Sequence, residues 1–245
     1  MMALRILSGG AAQGLMASLA AWFKELTGLD IEGEFGAVGT MADKLEAGTA
    51  ADLVVLTEAV MADLVRKGLV VGDTVADIGL VETAIAVRAG DPPVSVGDAA
   101  SLREALLAAD AIFVPDTRAS TAGIHVASVL DRIGIAGEVA PRLKIFPNGA
   151  TAMRHLAASD ASAAIGCTQS TEIINTPGVA LSGSLPTGYE LKTVYSAGIT
   201  SQARQVEDAR RLIALLTAAD SGELRARAGF LQLATGSVVR VRPPR

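Results

Sequence analysis

Short apolar runs alternate with helix-periodic stretches along almost the whole chain, and this alternation limits the fold more than any other feature. Leu4-Arg5-Ile6-Leu7 reads as a strand, followed by a turn at Gly9-Gly10 and an amphipathic helix over 13–27 that Gly28 stops. The unit then repeats. A strand over 30–35 precedes a helix over 40–47 closed by Gly48, and a strand over 52–56 precedes a helix over 58–67 closed by Gly68. Strand–helix–strand repetition buries its apolar faces as a largely parallel sheet with helices over it.

Two segments break the rhythm. IGLVETAIAV over 78–87 and the stretch over 192–199 each read as one long strand. Between them lies a second strand–helix set: a helix over 101–109, a strand over 111–114, a helix over 121–133, a strand over 143–146, a helix over 150–158 and a strand over 163–167. Helices over 205–218 and 222–228 close the pattern. A middle block bracketed by two long strands predicts an α/β fold of two lobes, each a central sheet flanked by helices, joined by two crossover strands. The expected division is 1–82 plus 196–245 for one lobe and 83–195 for the other.

Composition removes several function classes. The net charge is −5 and no basic run or stacking-aromatic motif occurs, so nucleic acid is not the expected partner. One cysteine, Cys167, and two well-separated histidines, His125 and His155, give no disulfide framework and no metal-ligand spacing. Neither a metal nor any other cofactor is expected. No run of about 18 uncharged apolar residues is present, which predicts no membrane span. The opening MMALRILSGG has no basic segment leading into a long apolar run and no cleavage motif. It reads as cytoplasmic; the alternative is a periplasmic protein whose export signal has been removed.

The candidate chemistry sits in loops that follow strands and open helices. They are Ser8-Gly9-Gly10-Ala11, the turn leading to Gly39-Thr40, Thr117-Arg118-Ala119-Ser120-Thr121, and Asn148-Gly149. In open α/β sheets ligands bind beyond the carboxyl ends of the strands. A helix N-terminus there presents unpaired N–H groups and partial positive charge, and glycine lets backbone come close. Several such loops aimed at one cleft make a site for a small anionic ligand. Arg118 adds a guanidinium suited to a carboxylate. Taken singly, each loop is also an ordinary helix cap.

Two stretches carry a resemblance. FGAVGTMADKLEAGTAADLVVL resembles the part of the molybdate-binding periplasmic proteins of ABC transporters in which a Ser-rich turn opens a helix and an IEAG-like stop and an ADLF-like strand follow. STAGIHVASVLDRIG looks like that family's PAGIYAKEALEKLG-type helix, and the order of elements matches over about residues 4–232. The resemblance implies the type 2 periplasmic-binding fold, an anion between the lobes and, for an exported member, an ABC permease as partner. It also places that family's hydroxyl donors. The first serine falls on Ala11, with Ser8 upstream; the second belongs to the turn Ala37-Val38-Gly39-Thr40; the tyrosine falls on Cys167. Three hydroxyls are absent or moved, which disfavours molybdate.

Aconitate isomerase is similar to this branch, and two functions stay open. One is an aconitate isomerase-like enzyme that shifts a double bond in a di- or tricarboxylate without a cofactor. A 1,3-proton shift needs an acid–base group, and Cys167, Glu82, His125 and Asp116 are the candidates in that order. The other is a solute-binding protein for a molybdate-like oxyanion or a small carboxylate, with no turnover. An intracellular sensor domain ranks last, since no DNA-binding segment is visible.

Overall fold

The computed structural model describes residues 3–233. The chain begins with strand β1 (Ala3–Gly9), helix α1 (Gln13–Thr27), β2 (Asp30–Gly36), α2 (Val38–Glu46), β3 (Leu53–Thr57) and α3 (Glu58–Arg66). β1 pairs in parallel with both β2 and β3. Helix α1 forms because Leu15, Met16, Leu19 and Phe23 fall on one face and are buried there. Gly28 ends it at φ 74°, its N–H reaching the Lys24 carbonyl at 2.8 Å, a conformation that favours glycine.

The chain continues through β4 (Ala76–Arg88), α4 (Ala99–Ala108), β5 (Ala111–Pro115), α5 (Thr121–Arg132), α6 (Ala136–Val139), β6 (Leu143–Phe146), α7 (Gly149–Ala157), β7 (Ala164–Gln169), α8 (Ser170–Ile174) and β8 (Val179–Ser184). It ends in β9 (Lys192–Ile199), α9 (Val206–Thr217) and α10 (Gly222–Arg227). β4 is the strand both halves share. Up to Glu82 it pairs antiparallel with β9, and from Thr83 onward it pairs with β7 and β8. Hydrogen bonding therefore runs unbroken along β2-β1-β3-β9-β4-β7-β5-β6, with β8 also on β4.

The cores are nevertheless separate. Leu4, Leu15, Phe23, Leu53, Val81, Leu212 and Phe230 belong to one cluster around the first half-sheet. The second half-sheet is covered on both faces: Ile85, Ile112, Val114 and Cys167 face one helical layer, and Ala84, Ala86 and Phe113 face the other, where Met153 of α7 packs with them. Successive residues of β4 and β5 thus alternate between two cores, as strand geometry requires.

Three features differ from the sequence reading. The stretch 192–199 does not cross between halves, because β9 pairs only with β3 and the first half of β4. The chain returns just before it, where Leu185 N–H reaches the Thr83 carbonyl and Thr83 N–H reaches that of Leu191. Helix α8 and strand β8 follow β7 in a stretch that had shown no clear period, and α6 is a single turn. Among the described residues no helix is long and apolar enough to cross a membrane.

Asp52, buried just before β3, ties the ends of the first half together. Its Oδ2 accepts the Arg5 N–H at 3.1 Å, and its Oδ1 accepts those of Arg204 at 2.7 Å and Gln205 at 3.1 Å. Asp52→Ala strands these donors and is expected to lower stability by roughly 1–3 kcal/mol in urea unfolding, with Asp52→Asn losing less. An unchanged midpoint for the alanine variant would show that these contacts do not stabilise the fold.

Candidate functional site

The carboxyl ends of the parallel strands in both halves open onto one narrow cleft. The first half contributes Gly10 after β1, Gly36 with Ala37 and Val38 after β2, and Tyr195 from β9. The second contributes Ser120 and Thr121 at the start of α5, Asn148 before α7, and Gln169 and Glu172 around the start of α8. About 220 Å³ there is not filled by atoms, part of it open to solvent. A backbone bond bridges the halves at one side, from Gly39 N–H to the Ala119 carbonyl at 3.1 Å. A side chain at Gly39 would crowd that carbonyl, so the close approach depends on glycine.

The lining is polar but carries no lysine, arginine or histidine. Helices α2, α5 and α7 start at its edge. The N-cap of α7 is Asn148, whose side-chain oxygen accepts the Thr151 N–H at 2.8 Å. Ser120, by contrast, caps α5 without a side-chain bond.

Glu172 dominates the electrostatics. It lies in the five-residue α8 and is buried. Its Oε2 accepts the Thr168 hydroxyl at 2.5 Å. Backbone N–H groups of Ala150, Gln169 and Gly149 also point at the carboxyl, so it sits over the start of α7. A side chain at Gly149 would collide with Glu172 and Thr168, and one at Gly10 would collide with Glu172 from the other half. Burial raises the Glu172 pKa, and these donors only partly offset it. The carboxyl thus holds its proton above the ordinary range. Beside it, the Tyr195 hydroxyl donates to Gln169 Oε1 at 2.7 Å. Burial and the neighbouring Glu172 push the Tyr195 pKa up, so the phenol keeps its proton.

The profile of the bacterial extracellular solute-binding protein family matches residues 4–231. The chain belongs to that family. Among curated relatives of this solute-binding protein, the aconitate isomerase of a Pseudomonas species is 25% identical over 231 residues, covering 90% of this chain and 84% of that protein. The periplasmic molybdate-binding protein of Azotobacter vinelandii superposes with a TM-score of 0.78 at 16% identity, over 94% of this chain and 99% of the other. The sulfate-binding protein SubI of Mycobacterium tuberculosis gives 0.71 at 18% identity, over 96% and 88%. The two-lobed periplasmic-binding fold expected from the sequence is the fold of these neighbours, and the resemblance seen in the stretches around Gly39 and Ser120 holds at the level of the family.

Of the residues proposed from sequence, the solute-binding protein brings Gly10, Ser120, Thr121 and Asn148 to the cleft. Gly149 lies directly behind it, under Glu172. Gly9 leaves room for the Tyr195 ring, whose Cε1 would be 2.9 Å from a side chain there. Ser8 and Ala11 are buried in the floor, with the Ser8 hydroxyl turned to the Gly9 carbonyl at 3.0 Å. Gly39 bridges the halves, and Thr40 is exposed outside the lining. Arg118 is likewise exposed and outside it.

None of the four acid–base candidates reaches the cleft lining. Cys167 is enclosed in the apolar core of the second half, and burial pushes its thiol up to about 12. Glu82 sits at the crossover, where the Ser184 hydroxyl at 2.6 Å and Lys192 at 3.1 Å hold its carboxyl below the ordinary range. Asp116 accepts the N–H groups of Arg118 and Ala119 at 2.7 and 2.9 Å, shaping its loop and lowering its pKa. His125 Nε2 is engaged with the Tyr189 carbonyl at 2.7 Å. The group in the cleft is Glu172, which the sequence reading passed over. Among the described residues no cluster of His, Cys, Asp and Glu could hold a metal ion.

The raised Glu172 pKa has a consequence for stability. Above the ordinary value of 4.5, the unfolded chain releases a proton that the folded chain keeps. Stability therefore falls as pH rises through that window. Glu172→Gln mimics the protonated acid and removes this dependence. The unfolding temperature of the variant, relative to wild type, is expected to climb from pH 4 towards neutrality. A pH-independent difference in calorimetric scans would assign Glu172 an ordinary pKa.

Proposed function

We propose that this solute-binding-family protein is a cofactor-independent isomerase that binds a small unsaturated di- or tricarboxylate and moves its double bond by a 1,3-proton shift. The observation that carries this reading is the single carboxyl, Glu172, set among neutral donors inside an anion cleft. A passive anion receptor can use a buried acid only as a protonated hydrogen-bond donor. An isomerase needs one, with a pKa near working pH rather than in the ordinary carboxylate range. The 25% identity to an aconitate isomerase over most of both chains supports the same reading.

The deprotonated Glu172 takes a proton from the methylene of the substrate. The C–H electron pair forms the new double bond, while the electrons of the old one move to the far carbon, where the adjoining carboxylate spreads the charge. The same carboxyl then returns a proton to that carbon, either the one it took or one exchanged with solvent, and is ready again. The helix start at Thr121, with the side chains of Ser120, Asn148 and Gln169, supplies donors for the substrate carboxylates. Arg118 can join them only through loop movement, since it is exposed at rest. Movement of 1–82 plus 196–245, together with the rest of β9, against the remainder of 83–195 about β4 would admit substrate and then exclude water; residues 1–2 and 234–245 of that division lie outside the described residues.

The second reading, a receptor that hands a small anion to an ABC permease, is favoured by the fold shared with molybdate- and sulfate-binding proteins. Incubation with cis- and trans-aconitate in deuterated water, followed by proton NMR, separates the two. The isomerase reading expects deuterium at the methylene and vinyl carbons without added metal, and at least a hundredfold slower exchange with Glu172→Gln. Saturable binding without exchange would establish the receptor.

A further inference from the structure

We propose that the side-chain amide of Gln169 is an oxygen-binding group of the cleft, its Nε2 donating to a carboxylate or enolate oxygen of the bound anion, with Tyr195 the positioning residue that aims it. This inference rests on the reading of the cleft as an organic-anion site and adds a donor beside Glu172. Gln169 is the last residue of β7, only 3% exposed, and lines the cleft. Its Nε2 is buried and has no hydrogen-bond partner among the described residues. Leaving a buried donor unpaired is unfavourable, and such an atom in a native fold calls for a missing acceptor.

The other buried side-chain atoms in that condition are the hydroxyls of Thr83, Thr171 and Ser221, and none of these lines the cleft. Gln169 differs in kind as well. A hydroxyl can rotate in search of an acceptor, whereas this amide is pinned. Its Oε1 accepts the Tyr195 hydroxyl at 2.7 Å, which fixes the NH₂ on the opposite side. Tyr195 is itself held: it is 1% exposed, its ring lies edge-on to Phe230 at 6.3 Å, and it is packed over Gly9. A fixed N–H donor beside an acid–base carboxyl suits a substrate oxygen that gains negative charge as the proton leaves carbon.

The test uses ¹⁵N-labelled full-length protein with trans-aconitate as probe, titrated by NMR and calorimetry, alongside Gln169→Leu, Gln169→Glu and Tyr195→Phe. The side-chain amide signals of Gln169, assigned as those missing from Gln169→Leu, are expected to shift on saturation. Gln169→Leu should bind roughly 10- to 100-fold more weakly, the range of one charge-assisted hydrogen bond. Gln169→Glu should bind more weakly still. Tyr195→Phe, which loses the aim but keeps the donor, should lower kcat about tenfold with KM changed less than threefold.

Wild-type protein that binds and exchanges protons while the Gln169 amide stays unmoved would overturn this inference alone. Binding with a shifted amide but no exchange would support the Gln169 contact and remove the isomerase reading. Wild-type protein that neither binds nor exchanges would sink both.

Discussion

Burial of one carboxyl group organises the cleft. A carboxylate removed from water is costly unless donors surround it, and its pKa moves until the cost is tolerable. Around Glu172 the compensation comes from both sides of a junction: the Thr168 hydroxyl at the end of β7 and the first amides of α7. Those amides sit at a helix start, so the donors that hold Glu172 are drawn from the same kind of dipole that would hold a ligand anion. Glycine at 149 is required for the contact, because any side chain there would occupy the carboxyl's place. Gly10 leaves the same carboxyl accessible from the other half. One acid therefore sets what two loops on different lobes can be.

The shared strand turns this local arrangement into a mechanical one. β4 belongs to the first half up to Glu82 and to the second from Thr83. At that boundary Glu82 is clamped by Ser184 and Lys192, so the crossover is fixed by polar contacts where the two cores leave a gap. Small rotations about such a point displace the loop ends by much more than they disturb either core. Glu172 and Gln169 ride on the second half, and Tyr195 and Gly10 on the first. The Tyr195–Gln169 bond consequently spans the cleft from one half to the other.

Much of this was legible in the sequence. The strand–helix alternation and the two long strands gave the fold class. Glycine and hydroxyl residues after strands marked loops that do meet at one cleft, at Gly10, Ser120, Thr121 and Asn148. The buried carboxyl of the cleft was not legible, and the reason is physical. Glu172 lies in a helix of five residues, too short to show a period, within the polar stretch QSTEIIN. There a glutamate reads as solvated surface, and only tertiary packing against α7 and the β1 loop buries it. The Thr168 hydroxyl four residues earlier was a usable signal, since strand-end Thr and helix-start Glu face each other at that spacing. Cys167 misled in the opposite way: alternation along β7 turns it into the core and Thr168 to the opposite face toward Glu172, while Gln169 reaches the cleft because it ends the strand.

The composition of the cleft also bears on which anion it holds. A fully ionised tetrahedral dianion would meet a carboxyl in Glu172 and find no cationic side chain in the lining. It would bind only with the acid protonated, using that proton as a donor. A polycarboxylate spreads its charge over several separated groups, so under the proposed reading one can lie over the helix start at Thr121 while the carbon between them approaches Glu172. The exposed Arg118, two residues before the Ser120 cap, lies outside this lining. A compact oxyanion would instead be held by the neutral donors and the helix start alone, with Glu172 protonated.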